Sequence, residues 1–303
     1  MISVLNLGRC DYLTALHLQE TLVELVKQQR AGNVLLFVEH SPVITLGRNA
    51  HRSNILASDE LLAARGVEVQ EINRGGDVTF HGPGQLVAYP IFDLRSFNPR
   101  LGAVDYVRRL EDVLMRICAH YRIETQRIKG MTGVWTYPVT PPRLNPRIIG
   151  RDYVAAEDAG APEPIGAPEP ALSLPKGSRS EAELTRDGFA WSGRKIAAIG
   201  VHISRGVTSH GFALNVTTNL DLFQLIVPCG LTKPVTSIEF ETGARPALEE
   251  VTTIASRCFG EIFASQMLWL ESIHDLLPES PSDTPARAPE DERRIAGDDT
   301  HLA

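Results

Sequence analysis

Gly193-Arg-Lys-Ile-Ala-Ala-Ile-Gly-Val-His-Ile-Ser-Arg-Gly-Val-Thr-Ser-His-Gly-Phe-Ala-Leu-Asn-Val216 holds two apolar runs, Ile196–Ile203 and Gly211–Val216, with no helical period between them. Both are short, and the first is rich in isoleucine and valine, so they read as a pair of strands. Working outward, Val34-Leu-Leu-Phe-Val38 is a buried strand, Leu86–Phe92 is another, and Val67–Ile72 is a weaker one. Arg122–Ile128 and Gly133–Tyr137 make a further strand pair. Helical stripes are few and set apart. Leu18, Leu22, Leu25 and Val26 mark one over Leu13–Arg30. Val104, Val107, Leu110, Leu114, Ile117 and Tyr121 mark a second, and Leu248–Met267 a third. Clustered strands with separated helices predict an α+β sandwich with a mixed, largely antiparallel sheet, rather than a doubly wound nucleotide fold.

The chain has 303 residues, 43% hydrophobic and 22% charged, which is ordinary globular composition. It contains no apolar run of the ~20 residues a membrane span needs, and no basic, apolar leader at its start. Collagen, coiled-coil, disulfide-scaffold and channel readings are excluded. Cys10, Cys118, Cys229 and Cys258 form no CxxC or CxxH pair, so no zinc site is expected, and free thiols in a reducing, cytoplasmic setting are. The net charge of -7 is uneven. Residues 279–303 carry seven acids and three bases, and 141–190 carry eight acids and six bases. What remains is nearly neutral, with no basic field for nucleic acid. Twelve of the 20 prolines also fall in 141–190 and 278–303, and the first stretch repeats Gly-Ala-Pro-Glu-Pro at 160 and 166. Such segments bury too little apolar surface to offset ordering entropy. The expected organisation is one catalytic domain over 1–278, with a mobile insertion at about 141–187 and a charged, disordered tail over 279–303.

Three segments carry candidate chemistry. Arg74-Gly-Gly-Asp-Val-Thr-Phe-His81-Gly-Pro-Gly-Gln85 crowds four glycines, a cation and a titratable ring between two strands. Backbone can approach a ligand closely there. Trp191-Ser-Gly-Arg-Lys195-Ile-Ala-Ala-Ile-Gly200 places a lysine at the mouth of a buried strand, in a chain with 25 arginines and only five lysines. A strand-end lysine either snorkels to water or serves as a fixed cation or base. In Ile226-Val-Pro-Cys229-Gly-Leu231 the flanking Pro and Gly put a thiol in a tight turn. On residue type alone that thiol is either an inert buried cysteine or one that faces a cleft. Walker, GxGxxG, HExxH and GxSxG motifs are absent.

Taken in order, these segments resemble the lipoyl(octanoyl) transferase family. The resemblance rests on Arg74–Gln85, Gly193–Gly200 and Pro228-Cys-Gly230, supported by Glu39-His-Ser-Pro-Val-Ile-Thr-Leu-Gly-Arg48, Thr132-Gly-Val-Trp135 and His210-Gly-Phe-Ala-Leu-Asn215. It covers roughly 1–140 and 188–270, and the insertion and tail depart from it. It implies the catalytic fold shared with biotin and lipoate protein ligases. It also implies transfer of an octanoyl (or lipoyl) group from acyl carrier protein to a lysine of lipoyl domains. The acceptors would be the 2-oxoacid dehydrogenase complexes and the glycine cleavage H protein. Cys229 would be the nucleophile and Lys195 the partner that lowers its pKa. Arg74, Gly75, Gly76, Asp77, Val78, Thr79, Phe80 and His81 would line the acyl site, with Ala198, Ile199, Gly200, Gly211, Phe212 and Ala213.

The chemistry is coherent without ATP or a metal, because cysteine attack on a thioester exchanges one thioester for another. A free thiol is only a few per cent thiolate at neutral pH, and an adjacent ammonium raises that fraction. A Cys–His pair is the commoner solution, so His81 competes with Lys195 as the base. An ATP-using ligase shares the fold and the strand lysine but needs no cysteine nucleophile. A non-catalytic lipoyl-domain binder and an amidotransferase that moves the octanoyl group between proteins are the other rivals.

Overall fold

The computed structural model describes residues 1–137, 193–227 and 234–276. The expected insertion, the charged tail and Cys229 lie outside the described residues. Along the chain come β1 (Ile2–Cys10), α1 (Tyr12–Lys27), β2 (Asn33–His40), β3 (Val43–Leu46), α2 (Asp59–Ala64) and β4 (Glu68–Glu71). Next are β5 (Val78–His81), β6 (Gln85–Ile91), α3 (Ala103–His120), β7 (Thr125–Ile128) and β8 (Met131–Thr136). Then follow β9 (Lys195–Ser204), β10 (Val207–Asn215), α4 (Ile238–Thr242), α5 (Leu248–Ile262) and β11 (Met267–Trp269).

Eight strands form one sheet in the order β11-β1-β2-β6-β10-β9-β8-β7, and β4-β3-β5 form a smaller one. In the large sheet β1 runs parallel to β11 and β2, and the other neighbours are antiparallel. This is the expected mixed, largely antiparallel α+β sandwich. The strand pair expected over Ile196–Ile203 and Gly211–Val216 exists as β9 and β10, with Gly200 opposite Gly211.

Both faces of the large sheet are covered, and the two-residue strand period decides which side chain goes where. Leu35 and Phe37 of β2 join the core under α3 and α5, while Val34, Leu36 and Val38 join the core under α1. A strand buried on both faces must be apolar at every position, which is why 34–38 shows no alternation. Phe259 of α5 anchors the first core. It packs its ring against Phe37, Phe92, Phe212 and Phe263 at centroid distances of 6.3, 6.3, 5.9 and 5.7 Å. Truncating such a side chain to alanine costs about 3–5 kcal/mol. A third core fills the small sheet, with Ile44, Val78, Phe80 and Phe223.

The long helices stop earlier than their apolar stripes suggest, and for one reason. After α1, α3 and α5 the chain turns through a left-handed residue that is not glycine: Gln29, Arg122 and Ala264, with φ of 60°, 59° and 47°. In each, the next amide reaches back to close the helix: Arg30 N–H to Leu25 O, Ile123 N–H to Cys118 O and Ser265 N–H to Gly260 O, at 2.9, 3.0 and 2.9 Å. The usual glycine stop signal is missing from the sequence at these points. Thus the predicted strand at Arg122 begins at Thr125, and the predicted helix to Met267 ends at Ile262. Strands β1, β3, β5 and β11 also lay outside the sequence-based expectation.

Candidate active site

A cleft opens between the Arg74–His81 segment and the strands β6, β9 and β10. It encloses about 790 Å³ of empty space, its open mouth included. The approach of loop to strand is close. The Gly75 amide donates to Val201 O at 3.1 Å, and a Cβ on Gly200 would fall 2.9 Å from Gly75 O. Only glycine at 200 lets the loop lie on the strand. Arg74 is buried, and its guanidinium donates to Thr45 O at 2.8 Å and to Thr45 Oγ1 at 2.9 Å. This ties the loop to β3 as well.

Of the residues expected to line the acyl site, Arg74, Gly75, Gly76, Asp77, Val78, Thr79 and His81 stand on the cleft wall. Ala198, Ile199, Gly200, Gly211, Phe212 and Ala213 face them. Phe80 is the correction. It is fully buried in the small-sheet core, 5.6 Å from the Phe223 ring, because the strand period turns it away from its neighbours Thr79 and His81. Gln85 and Ala197 also line the wall, and Tyr12, Val87, Tyr89, His210, Asn215, Phe223 and Val235 do so without having been expected there.

Lys195 also lines the cleft, as the first residue of β9. Its backbone is held on both sides: its amide donates to Pro234 O and its carbonyl accepts from the Thr236 amide, each at 2.9 Å. Its Nζ lies 5.2 Å from the centre of the Trp135 ring, a cation–π distance. Gly133 leaves room for it. With φ of +121°, a Cβ there would fall 2.8 Å from Lys195 Cε and 2.6 Å from Ala197 O. Cys229 itself is outside the described residues, but the chain is tethered before and after it. The Val227 amide donates to Asn54 O at 2.7 Å, and Asn54 Nδ2 donates to Asp77 Oδ2 at 2.8 Å. On the far side, Pro234 and Thr236 are paired with Lys195.

Buried histidines surround the cleft. His81 Nδ1 lies 2.8 Å from Gln85 Oε1. Gln85 Nε2 donates to Asn215 Oδ1 at 2.9 Å, and Asn215 Nδ2 donates to Thr236 O at 2.9 Å. His40 Nδ1 lies 3.0 Å from Cys10 O and its Nε2 is 2.6 Å from the Tyr89 hydroxyl. His210, at φ of 56°, lies with Nε2 2.6 Å from Asn73 Oδ1. Burial pushes the imidazole of His81 down to about 3, with nearby His40 and Arg74 adding to the fall against the Gln85 hydrogen bond. Burial likewise takes His40 to about 4 and His210 to about 3. All three are neutral at pH 7. A site histidine with so low a pKa is a weak base, which favours Lys195 in that role. Among the described residues, no group of three or more His, Cys, Asp or Glu is placed to hold a metal ion. No helix among them is long and apolar enough to cross a membrane.

The sequence profile of the lipoyl protein ligase A/B catalytic domain matches residues 11–260. An octanoyltransferase of Koribacter versatilis is 53% identical over 303 residues, covering 100% of both chains. The chain belongs to this family, among its octanoyltransferases. A second relative, the octanoyltransferase of Acidobacterium capsulatum, is 50% identical over 92% of this chain and 97% of its own. The fold is that of lipoate protein ligases. The ligase of a bipartite archaeal lipoylation system from Thermoplasma acidophilum superposes with a TM-score of 0.58 at 13% identity, covering 89% of this chain and 88% of the other. A lipoate-protein ligase A bound with ATP superposes with a TM-score of 0.55 at 13% identity, covering 90% and 89%.

Proposed function

We propose that this octanoyltransferase moves an octanoyl group from a thioester on acyl carrier protein to a lysine amine of a lipoyl domain. The lipoyl domains of 2-oxoacid dehydrogenase complexes and the glycine cleavage H protein are the acceptor class, and the enzyme passes through an acyl-thioester on Cys229. The observation that carries the reading is the placement of Lys195. It sits in the cleft wall and its backbone is paired with the very segment, Pro234–Thr236, that follows Cys229 in the chain.

The steps balance without ATP or a metal. Lys195 lowers the cost of ionising the Cys229 thiol, because a nearby ammonium favours the thiolate. The thiolate attacks the donor carbonyl. The new C–S bond forms, the old one breaks, and the departing carrier thiolate takes a proton from Lys195. The acceptor amine then attacks the enzyme thioester, forming the amide C–N bond. Neutral Lys195 accepts the proton released by the amine, and Cys229 leaves as thiolate. Amides of Gly75, Gly76 and their neighbours are suited to hold the developing oxyanion. The cleft fits the acyl chain chemically. Ala197, Ala198, Ile199, Phe212 and Ala213 offer small and apolar walls. Burying about seven CHₓ groups at ~0.8 kcal/mol each supplies several kcal/mol, less the cost of ordering the chain.

Intact-mass measurement after incubation with octanoyl-acyl carrier protein, without ATP, tests this. One octanoyl adduct mapped to Cys229, discharged by a lipoyl domain and absent in Cys229→Ala, is expected. Acceptor modification only when octanoate and ATP are supplied would overturn it in favour of a ligase.

A further inference from the structure

The row of amides behind His81 has a fixed direction. Its far end is the backbone carbonyl of Thr236, which can only accept, so the Asn215 group facing it is Nδ2. Asn215 therefore turns Oδ1 towards Gln85 and requires Nε2 there. That nitrogen's second hydrogen is directed at another obligatory acceptor, Phe80 O, at 3.3 Å. Gln85 is left with Oε1 towards His81, so the ring nitrogen at 2.8 Å, Nδ1, must carry the proton. His81 Nε2 is then a bare lone pair. It has no hydrogen-bond partner among the described residues, and the ring lies on the cleft wall.

Every member of the row is buried: His81, Gln85, Asn215 and Thr236. Two amides that could each be turned over are locked by two backbone carbonyls, and an inverted amide here would oppose two acceptors in a dry environment. Tyr12 lies nearly parallel to the ring, with centroids 6.2 Å apart and 12° between planes, and His40 stands at 6.0 Å and 63° to it. The far end of the same row fixes the 234–236 segment on Lys195. Tautomer and lysine placement thus share one set of hydrogen bonds.

We propose that Gln85 and Asn215 are positioning residues that hold His81 with Nε2 unprotonated towards the cleft, where it accepts a hydrogen bond from the N–H of the incoming primary amine. No proton is transferred to the ring; it aligns the amine while Lys195 takes the proton. This rests on the acyl-transfer reading above, but its first test does not. In the ¹⁵N-histidine spectrum of the whole protein at neutral pH, His81 should show Nδ1–H with a pyridine-like Nε2. An Nε2–H tautomer or an imidazolium would overturn the proposal whatever the enzyme's activity. Asn215→Leu, which leaves Gln85 in contact with His81 but held only by its longer bond to Phe80 O, should let the Gln85 amide turn in part and shift the His81 population towards Nε2–H. With octanoyl-acyl carrier protein and a lipoyl domain as substrates, the same variant should lose about tenfold more in discharging the Cys229 adduct than in forming it, the effect of one hydrogen bond lost in the second step alone. An unchanged His81 signature in Asn215→Leu, or equal losses in both steps, would overturn the assignment and leave the row a structural one. If no variant folds, the wild-type spectrum still decides the tautomer. Failure of the adduct to form in wild type would count against the acyl-transfer reading alone.

Discussion

Lowering the pH from 7 to 5.5 should cost this protein an unusual amount of stability, and the structure sets the size. His40, His81 and His210 are buried and neutral, with imidazoles pushed down to about 4, about 3 and about 3. In the unfolded chain each returns to about 6.5. Below that value the unfolded state binds three protons that the folded state refuses, so folding stability falls as pH falls. Their contribution is fully present above about pH 6.5 and is lost progressively down towards their folded-state values. Between pH 7 and 5.5 the unfolded chain gains about 1.2 kcal/mol per histidine, hence about 4 kcal/mol for the three. That is a large share of the 5–15 kcal/mol that ordinary domains have. Carboxylates with lowered pKa act in the same direction but titrate mostly below this window. Urea unfolding at the two pH values measures the difference, and His40→Gln should reduce it by about a third. A loss under 1 kcal/mol, or a gain, would show that these rings are charged in the folded state and would refute the reasoning.

Two further outcomes follow from close approaches and from the placement of Lys195. Gly211→Ala would put a Cβ 2.0 Å from Ala88 O, between paired strands, and should cost about 3 kcal/mol or more, a drop in Tm of about 10 °C. Gly32, with nothing within 4 Å of its would-be Cβ, is the control, and Gly32→Ala should stay within about 1 kcal/mol of wild type. Lys195→Ala should move the pH profile of Cys229 alkylation upward, since the ammonium no longer favours the thiolate. An unchanged profile would separate the two residues.

What the sequence reveals and what it hides divide along one physical line. Interactions local in the chain are legible. The stripe of α3, the continuous apolar run of β2 and the glycine-rich 74–85 segment each announce themselves within a dozen residues. Contributions assembled by topology are not. Tyr12 and Tyr89 belong to a helix stripe and a strand, where an aromatic reads as core, yet both line the cleft. β11 has three residues and no period of its own; it is a strand only because β1 lies beside it. β5 is concealed because the motif that contains it reads as loop, and Phe80, taken with its motif, belongs to a core that only the small sheet reveals. The segment around Lys195 was visible, but its pairing with 234–236 was not, since nothing in either stretch names the other.

The amide row joins Gln85 to Asn215 across 130 residues, and β1 finds its outer neighbour only at Met267. During synthesis at about 5–20 residues per second, the glycine-rich loop would wait roughly 7–25 s for its partner strand to leave the ribosome. Throughout that interval His81 has no tautomer imposed on it and the N-terminal strand has a bare edge. On the proposed mechanism the amine-aligning form of His81 is set only once Asn215 has joined the sheet, so a nascent chain that stops short of it carries the motif without the row that orders it.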